Sequence, residues 1–266
     1  MNSELELLAY SNNLFSLKNK VAIITGASRG LGKAISAGFA SVGANVILVS
    51  RSEDHLLKTH NEIRNAGFLS RYYPIDINNY SKVNEMIKES IMNLGKIDIL
   101  VNCAGVAYGY ESENYPEDKW DETYSTNLKA AFNMCKMVSR KMIKKGNGGS
   151  IINITSIAAV LASPNNPAYN ASKGGLKMMT KALAADWGKY NIRVNNLGPG
   201  YFKTKINKIS WNDKTMRKIR SERCLLNRWG SPNEIIGPAI FLASEASSFV
   251  TGQDLYVDGG FLSKSL

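Results

Sequence analysis

The sequence predicts a three-layer α/β fold, in which helices cover both faces of a central, mainly parallel and doubly wound sheet of about seven strands. Short β-branched runs alternate along the chain with longer segments of helical period, which is typical of βαβ units. The short runs are almost continuously apolar, as expected for strands that are buried on both faces. A chain of 266 residues, 44% of them hydrophobic, is long enough to bury the core of such a sheet.

Seven runs along the chain are strand candidates. The predicted strands cover residues 21–24, 45–49, 71–75, 97–101, 150–154, 193–197 and 254–257. The run at 71–75 is the weakest of them, because Pro74 suits the end or edge of a sheet better than its centre. Helices are predicted over residues 33–40 and near 53–66 and 79–94.

The chain is predicted to fold as one domain. Breaks at residues 146–149 and 165–167 indicate loops rather than linkers, because the βα rhythm continues across them. We therefore expect a single domain over residues 17–266, preceded by an N-terminal lead-in over residues 1–16. The lead-in carries two glutamates where a signal peptide would be positive, and no stretch reaches the roughly 18 apolar residues of a membrane span. No membrane partner is expected.

The charge balance narrows the partners. There are 33 Lys and Arg residues against 22 Asp and Glu, a formal net charge of +11. Such a surface suits nucleic acid, an anionic membrane surface, or an acidic small molecule or carrier. Since the sequence has no nucleic-acid-binding motif and no basic stripe with interleaved aromatic residues, no nucleic-acid partner is expected.

Cysteine and histidine usage bears on compartment and metals. Cys103, Cys135 and Cys224 are odd in number and widely spaced, which predicts a reducing compartment and a cytoplasmic location. His55 and His60 stand five residues apart, the wrong spacing for two ligands on one helix face, so no metal site is predicted.

A glycine-rich loop follows the first predicted strand. Its glycines have the spacing G-x-x-x-G-x-G and are followed directly by a predicted helix. Glycines there let backbone N–H groups and the helix N-terminus approach a pyrophosphate, so a dinucleotide site in a Rossmann-type fold is predicted. The candidate contacts in this loop are Gly26, Ser28, Arg29, Gly30, Leu31 and Gly32.

The end of the second strand indicates which dinucleotide binds. An acidic residue there would favour NAD, whereas this chain has Ser50 and Arg51, and an arginine suits the 2′-phosphate of NADP. Arg29 adds a second cation in the glycine loop. NADP(H) is therefore predicted, with two solvated arginines, one paired to Glu53 or Asp54, as the alternative.

A serine, a tyrosine and a lysine form the strongest candidate for catalysis. Tyr169 and Lys173 are four residues apart and would share one helix face, while Ser156 ends the strand predicted at 150–154. A cation near a phenol favours the phenolate, so we expect the pKa of Tyr169 to lie below its usual value near 10 and to allow proton exchange near neutral pH. The structural alternatives are a surface i,i+4 pair for Tyr169 and Lys173 and a cap for Ser156.

This glycine spacing and this Ser, Tyr and Lys set resemble the short-chain dehydrogenase/reductase family, over residues 17–261. The resemblance implies reversible hydride transfer between NADP(H) and a ketone or secondary alcohol, with Tyr169 as general acid and base. It implies a catalytic tetrad of Asn127, Ser156, Tyr169 and Lys173. It also implies cofactor contacts from Asp76, Ile77, Asn102, Ala104, Gly105, Tyr169, Lys173, Pro199, Gly200, Phe202 and Thr204.

One position departs from the family pattern. Cys103 stands second in a segment that resembles the family's Asn-Asn-Ala-Gly motif. We interpret it as a small side chain in a tight turn rather than as a reactive thiol.

Two groups within the family compete for the substrate. Segments 15–21, 174–181, 198–201 and 228–230 resemble the gluconate 5-dehydrogenase group, which interconverts sugar acids or polyols and their keto forms. The alternative is a 3-oxoacyl-carrier-protein reductase, whose carrier-docking arginines would fall at Asn133 and Ala185. A cofactor-binding regulator without turnover is the third possibility, and the retained tyrosine and lysine disfavour it.

The resemblance also implies a substrate lid at about residues 201–228 and a homotetramer, with a dimer as the next choice. Residues 203–223 hold eight Lys or Arg against Asp213 and Glu222, a net charge of +6. We therefore expect a small ketone or alcohol substrate that is anionic, although a solvated basic helix would carry the same charge.

Overall fold

The computed structural model describes residues 13–264. Its seven strands form one parallel sheet in the order β3-β2-β1-β4-β5-β6-β7, which confirms the predicted fold class. The strands are β1 Val21–Thr25, β2 Asn45–Val49, β3 Ser70–Tyr73, β4 Ile99–Asn102, β5 Gly149–Ile154, β6 Ile192–Pro199 and β7 Asp254–Val257. The order reverses between β1 and β4, and such a switch point opens a crevice at the carboxyl ends of the strands.

Helices cover both faces of the sheet. They are α1 Gly30–Ser41, α2 Glu53–Asn65, α3 Tyr80–Leu94, α4 Glu117–Tyr124, α5 Ala130–Lys145, α6 Pro167–Trp187, α7 Lys208–Asn212, α8 Lys214–Arg223 and α9 Ile236–Ala243. Alternate residues of β1 belong to different core clusters, with Ala22 and Ile24 in one and Val21 and Ile23 in the other. Because each strand residue faces the opposite side from its neighbour, this division means that both sheet faces are buried.

The elements differ from the sequence prediction mainly at their ends. The weak candidate at 71–75 is a four-residue edge strand, and Pro74 follows it, outside the hydrogen-bonded ladder. α1 begins at Gly30, three residues earlier than predicted. Of the lead-in predicted over residues 1–16, residues 1–12 lie outside the described residues.

Within residues 13–264, no helix combines the length and apolar character that crossing a bilayer requires. The same residues contain no group of three His, Cys, Asp or Glu side chains able to hold a metal ion.

Candidate active site

A cavity of about 1340 Å³ opens at the carboxyl edge of the sheet. Its walls come from the glycine loop after β1, the ends of β2, β4, β5 and β6, and helix α8. All the predicted site residues line it except Asn102 and Asn127, so the fold brings the cofactor candidates and the Ser, Tyr and Lys candidates to one place.

At two of its glycines, the glycine loop is packed too tightly for a side chain. Gly26 has φ +69°, and a Cβ on it would lie 2.9 Å from the Cα of Ala104. A Cβ on Gly32 would lie 2.3 Å from the carbonyl oxygen of Gly26. The Thr25 hydroxyl accepts hydrogen bonds from the backbone N–H groups of Cys103 (3.0 Å) and Ala104 (3.1 Å), which fixes the loop against the segment after β4.

The start of α1 fits an anionic group. No side chain caps this helix, so its first backbone N–H groups are free to bind an anion beside the cavity. Together with the loop, in which a Cβ is excluded, this is the arrangement that a dinucleotide pyrophosphate requires.

At the end of β2, Ser50 donates a hydrogen bond to the hydroxyl of Ser28 at 2.9 Å. The Arg51 guanidinium lies 3.8 Å from the carboxylate of Asp76 and remains mostly exposed. The acidic partner of Arg51 is therefore Asp76, and not Glu53 or Asp54 as considered from the sequence. Arg29 is exposed and also lines the cavity.

Sequence reasoning missed two side chains at this rim. Ser52 and His55 line the same part of the cavity, and their Oγ and Nδ1 atoms are 3.2 Å apart. A sequence signal for Ser52 was available, because a serine before an acidic helical stretch is typical of an N-cap. In the structure Ser52 is the N-cap residue of α2.

Tyr169 and Lys173 lie one turn apart on α6, with the Lys173 Nζ 5.7 Å from the centre of the Tyr169 ring. The ammonium donates a hydrogen bond to the backbone oxygen of Ile154 at 2.7 Å rather than to the phenol. Burial lowers the pKa of Lys173 to about 8. Burial also raises the pKa of Tyr169, and the Ser156 hydroxyl beside it acts in the opposite direction.

The predicted lowering of the Tyr169 pKa is therefore wrong for this structure. The sequence showed that the ammonium would be near, but it did not show that both groups would be buried, and burial disfavours the charged form of each. The phenol is consequently held protonated at neutral pH.

Ser156 has two structural roles. Its backbone is extended, its Oγ accepts a hydrogen bond from the backbone N–H of Ala158 at 3.1 Å, and it lines the cavity beside Tyr169. The residue is therefore both the cap considered from the sequence and a wall of the site.

The Asn127 side chain is enclosed by the protein. Its Nδ2 donates to the Val106 carbonyl (2.9 Å) and the Ser172 hydroxyl (3.1 Å), and its Oδ1 accepts from the Val106 N–H (2.8 Å). It belongs to a π-helical turn, Ser125–Lys129, between α4 and α5. Such turns are frequent at functional sites, and no sequence signal indicated this one. Asn127 thus joins the segment after β4 to α6.

Asn102, predicted as a cofactor contact, does not line the cavity either. It is buried, and its Nδ2 donates to Asn153 Oδ1 at 2.8 Å and to the Ala131 carbonyl at 3.4 Å. These bonds tie β4 to β5 and α5. The neighbouring Cys103 borders the cavity, and burial raises the pKa of its thiol to about 11. The interpretation of Cys103 as an unreactive thiol agrees with that pKa.

The segment after β6 covers the middle of the cavity. Phe202 is buried and pairs with Gly230 in an isolated parallel bridge. The Thr204 side chain lies over the glycine loop, where a Cβ on Gly30 would be 3.6 Å from the Thr204 methyl group. This segment therefore connects the loop to the predicted lid.

The predicted lid contains α7 and α8, and one face of α8 lines the cavity. Its lining residues are Met216, Ile219, Arg220 and Arg223. From the sequence, residues 203–223 of the lid carry a net charge of +6, but the sequence did not identify which of these cations face inward. The helical spacing of these four positions is the signal that could have found them.

Comparison with known proteins agrees with this geometry. A family model described as enoyl-(acyl carrier protein) reductase matches residues 26–262. Gluconate 5-dehydrogenase of Gluconobacter oxydans (strain 621H) is 38% identical over 248 residues, which cover 93% of this chain and 96% of that protein. An NAD-dependent glycerol dehydrogenase of Listeria innocua serovar 6a is 37% identical over 250 residues, which cover 94% of this chain and 96% of that protein.

A solved structure extends the likeness to three dimensions. The crystal structure of a gluconate 5-dehydrogenase from Burkholderia cenocepacia J2315, in complex with NADP and tartrate, has a TM-score of 0.92 and 38% sequence identity. The match covers 96% of this chain and 100% of that chain. With the glycine loop, the seven-stranded sheet and the family match in place, this chain belongs to the short-chain dehydrogenase/reductase family of oxidoreductases.

Proposed function

We propose that this protein is an NADP(H)-dependent oxidoreductase that interconverts a secondary alcohol and a ketone, with a sugar acid or polyol as substrate. The observation that carries the proposal is that one continuous cavity is lined both by the glycine loop and by Ser156, Tyr169 and Lys173. The names of two relatives, both gluconate 5-dehydrogenases, support the substrate class.

The cofactor half of the cavity would hold NADP(H) through backbone and small side chains. Gly26, Gly30 and Gly32 and the start of α1 would accept the pyrophosphate, and Ser28, Arg29, Ser50 and Arg51 the 2′-phosphate. Asp76 and Ile77 would border the adenine, Ala104 and Gly105 the ribose, and Pro199, Gly200, Phe202 and Thr204 the nicotinamide. When bound, NADPH supplies a hydride to the carbonyl carbon.

The proton of the reaction would come from Tyr169. In the reductive direction, its phenol donates a proton to the oxygen of the substrate as the alkoxide forms, and the raised pKa keeps that proton in place beforehand. Ser156 would donate a hydrogen bond to the same oxygen. Lys173 would stabilise the resulting phenolate, and Asn127 would act as a positioning residue through Val106 and Ser172.

The choice of cofactor is tested by kinetics with both nicotinamides. We expect kcat/KM for NADPH to exceed that for NADH by roughly tenfold or more, because a phosphate gains charge-assisted bonds at this rim. Arg51→Ala should reduce the ratio of kcat/KM for NADPH to that for NADH. Fluorescence titration measures the accompanying loss of NADPH affinity. A tenfold preference for NADH would contradict the proposal, and the NAD-dependent glycerol dehydrogenase among the relatives makes that a real alternative.

The substrate class is tested with NADPH and a panel of 5-keto sugar acids, diketones and an acetoacetyl thioester. We expect reduction of the keto sugar acids. Activity on the thioester alone would favour the 3-oxoacyl-carrier-protein reductase instead. Against that alternative, Asn133 and Ala185 offer no cation at the places where carrier-docking arginines are expected.

We further propose that residues 17–266 form one domain with a lid at about 201–228, and that four copies assemble in the cytoplasm. Phe249 beside β7 is fully exposed, and Met178 on α6 is 64% exposed, which supports contacts between copies. A light-scattering mass near one subunit at micromolar protein would contradict the tetramer.

A further inference from the structure

Helix α8 places two arginines in the wall of the cavity. Arg220 and Arg223 are three residues apart on one helix face, and Met216 and Ile219 precede them on the same wall. Arg217, on the same helix, does not line the cavity. Two cations next to each other on the cavity face of one helix require a reason, because an arginine in such a place normally pairs with an anion.

Both guanidinium groups lie over aromatic rings. The Arg220 Cζ is 4.5 Å from the centre of the Tyr201 ring, and the Arg223 Cζ is 4.8 Å from that of Phe261. Stacking occupies the flat face of a guanidinium and leaves its N–H groups, which lie in the plane, free to bind an acceptor.

Neither arginine has an acidic partner within 4.0 Å among the side chains of residues 13–264. The nearby carboxylates are engaged elsewhere. Glu222 lies 3.8 Å from the ammonium of Lys218, and the Asp258 carboxylate accepts from the backbone N–H groups of Gly260 and Leu262, each at 2.9 Å.

The rings under the arginines are held in place by packing. Tyr201 packs against Trp229 and Phe261, with ring centres 5.1 Å and 5.3 Å away. Cys224, directly after α8, is buried with Phe261 in a small core cluster. Since the end of α8 is anchored, the two arginines lose little conformational freedom when a ligand binds.

The pair lies at the catalytic end of the cavity. Tyr201 follows β6 and packs on a cluster that contains Ile157, the residue directly after Ser156. Arg51 follows β2, and β2 and β6 are four strand spacings apart, roughly 19 Å. Arg220 is therefore too far from Arg51 to share the 2′-phosphate site.

We propose that Arg220 and Arg223 form a clamp for the carboxylate of the substrate and make the enzyme select keto acids over neutral ketones. The inference rests on the proposed function and names the substrate class for that site. A carboxylate in the plane of two stacked guanidinium groups can accept four N–H bonds, whereas a hydroxymethyl group at that position leaves them unpaired. The clamp also gives the positive lid a specific purpose.

Kinetics of single variants test the clamp. For Arg220→Gln and Arg223→Gln, we expect KM for 5-keto-D-gluconate to rise about 10- to 100-fold each, the loss typical of a charged hydrogen-bonded contact. KM for a neutral ketone, 2,3-butanedione, should stay near the wild-type value. Arg220→Lys should retain part of the affinity, because it keeps the charge but loses the planar fork.

Arg217→Gln is the matched control. Arg217 is on the same helix and also stacks on an aromatic ring, with its Cζ 5.1 Å from the centre of Trp211, but it lies outside the cavity. It should leave both KM values unchanged. The clamp is wrong if the double variant Arg220→Gln/Arg223→Gln has the wild-type KM for 5-keto-D-gluconate. It is also wrong if KM rises by the same factor for 5-keto-D-gluconate and for 2,3-butanedione.

Binding calorimetry separates failure of the clamp from failure of the proposed function. If the wild type reduces no ketone with NADPH, the proposed function fails. Gluconate and the neutral sorbitol are then titrated into protein saturated with NADP⁺. The clamp is supported if the wild type binds gluconate but not sorbitol and the double variant binds neither. It is overturned if the wild type binds no gluconate, or if the double variant binds gluconate as tightly as the wild type does.

Discussion

The cofactor half of the cavity, residues 25–32 and 102–106, and the lid, residues 201–228, are held by different kinds of contact. In the cofactor half, backbone groups and small side chains do the binding, as where Thr25 ties two backbone N–H groups of the β4 segment to the loop. In the lid, packed aromatic side chains and isolated hydrogen bonds hold short helices in place. One of these is the 3.3 Å hydrogen bond that Trp229 Nε1 donates to the Arg217 carbonyl.

The two halves therefore tolerate change differently. A backbone cradle in which a Cβ would lie 2.3 Å from a carbonyl oxygen admits almost no substitution. The lid exposes Ile209 (86%) and Ile219 (59%), and none of residues 203–223 is buried. Under the proposed function, a tightly packed cofactor site beside a more exposed lid would let a few lid side chains decide the substrate.

The largest effect is expected at the junction of the two halves, at Tyr169. Tyr169→Phe removes the proton donor and leaves the ring in place, so kcat should fall about 10²- to 10⁴-fold. NADPH should still bind, as measured by fluorescence titration. The control is Tyr190→Phe, at an exposed tyrosine beyond the end of α6, which should retain full turnover. Near wild-type kcat for Tyr169→Phe would exclude this residue as the proton donor.

Lys173 should make stability depend on pH. Its pKa is lowered from 10.5 to about 8 in the folded protein, so between these values the unfolded chain binds a proton that the folded protein lacks. Stability therefore rises with pH in this range, relative to the Lys173→Met variant, by up to about 3 kcal/mol in total. Urea unfolding of both proteins at pH 7.5 to 10 measures the difference. Parallel pH dependences would show that Lys173 is charged in the folded protein.

Gly32→Ala tests the rigid cradle itself. The added Cβ meets the Gly26 carbonyl, so we expect a loss of about 1–3 kcal/mol in the free energy of unfolding, together with weaker NADPH binding. Gly188→Ala is the matched control, because a Cβ there meets no atom within 4 Å. If Gly32→Ala bound NADPH as tightly as the wild type, the loop would be more adaptable than its packing indicates.

The sequence predicted most of the cofactor half because that half follows local rules. Strand, glycine loop and helix are contiguous, so Gly26, Gly30 and Gly32 could be placed from spacing alone. Helical period likewise placed Tyr169 one turn from Lys173.

What the sequence missed depends on contacts between distant segments. Burial of Tyr169 and Lys173, which decides the direction of both pKa shifts, comes from elements far apart in the chain. The π-helical turn at Asn127 and the inward face of α8 likewise depend on packing. A motif position also does not reveal where a side chain points, as at Asn102, whose amide donates to Asn153.

The smallest effect is expected at the far end of the lid, where Glu234 holds Arg228. The two Glu234 oxygens accept from the guanidinium at 2.6 Å and 2.7 Å, and one also accepts from the Ser231 N–H, which lowers the pKa of Glu234 to about 2. The pair is largely exposed, so solvent screening keeps its contribution to stability small.

The sign of the pH effect follows from the lowered pKa. The stabilisation is present above the ordinary pKa of 4.5 and is lost as the pH falls through about 2. Glu234→Gln should therefore lower the free energy of unfolding at pH 7 slightly and reduce its dependence on acid. It should raise KM for the ketone while leaving NADPH affinity unchanged, because the bonds it breaks lie in the lid. An equal loss of NADPH affinity would mean that the two halves of the cavity are coupled rather than separate.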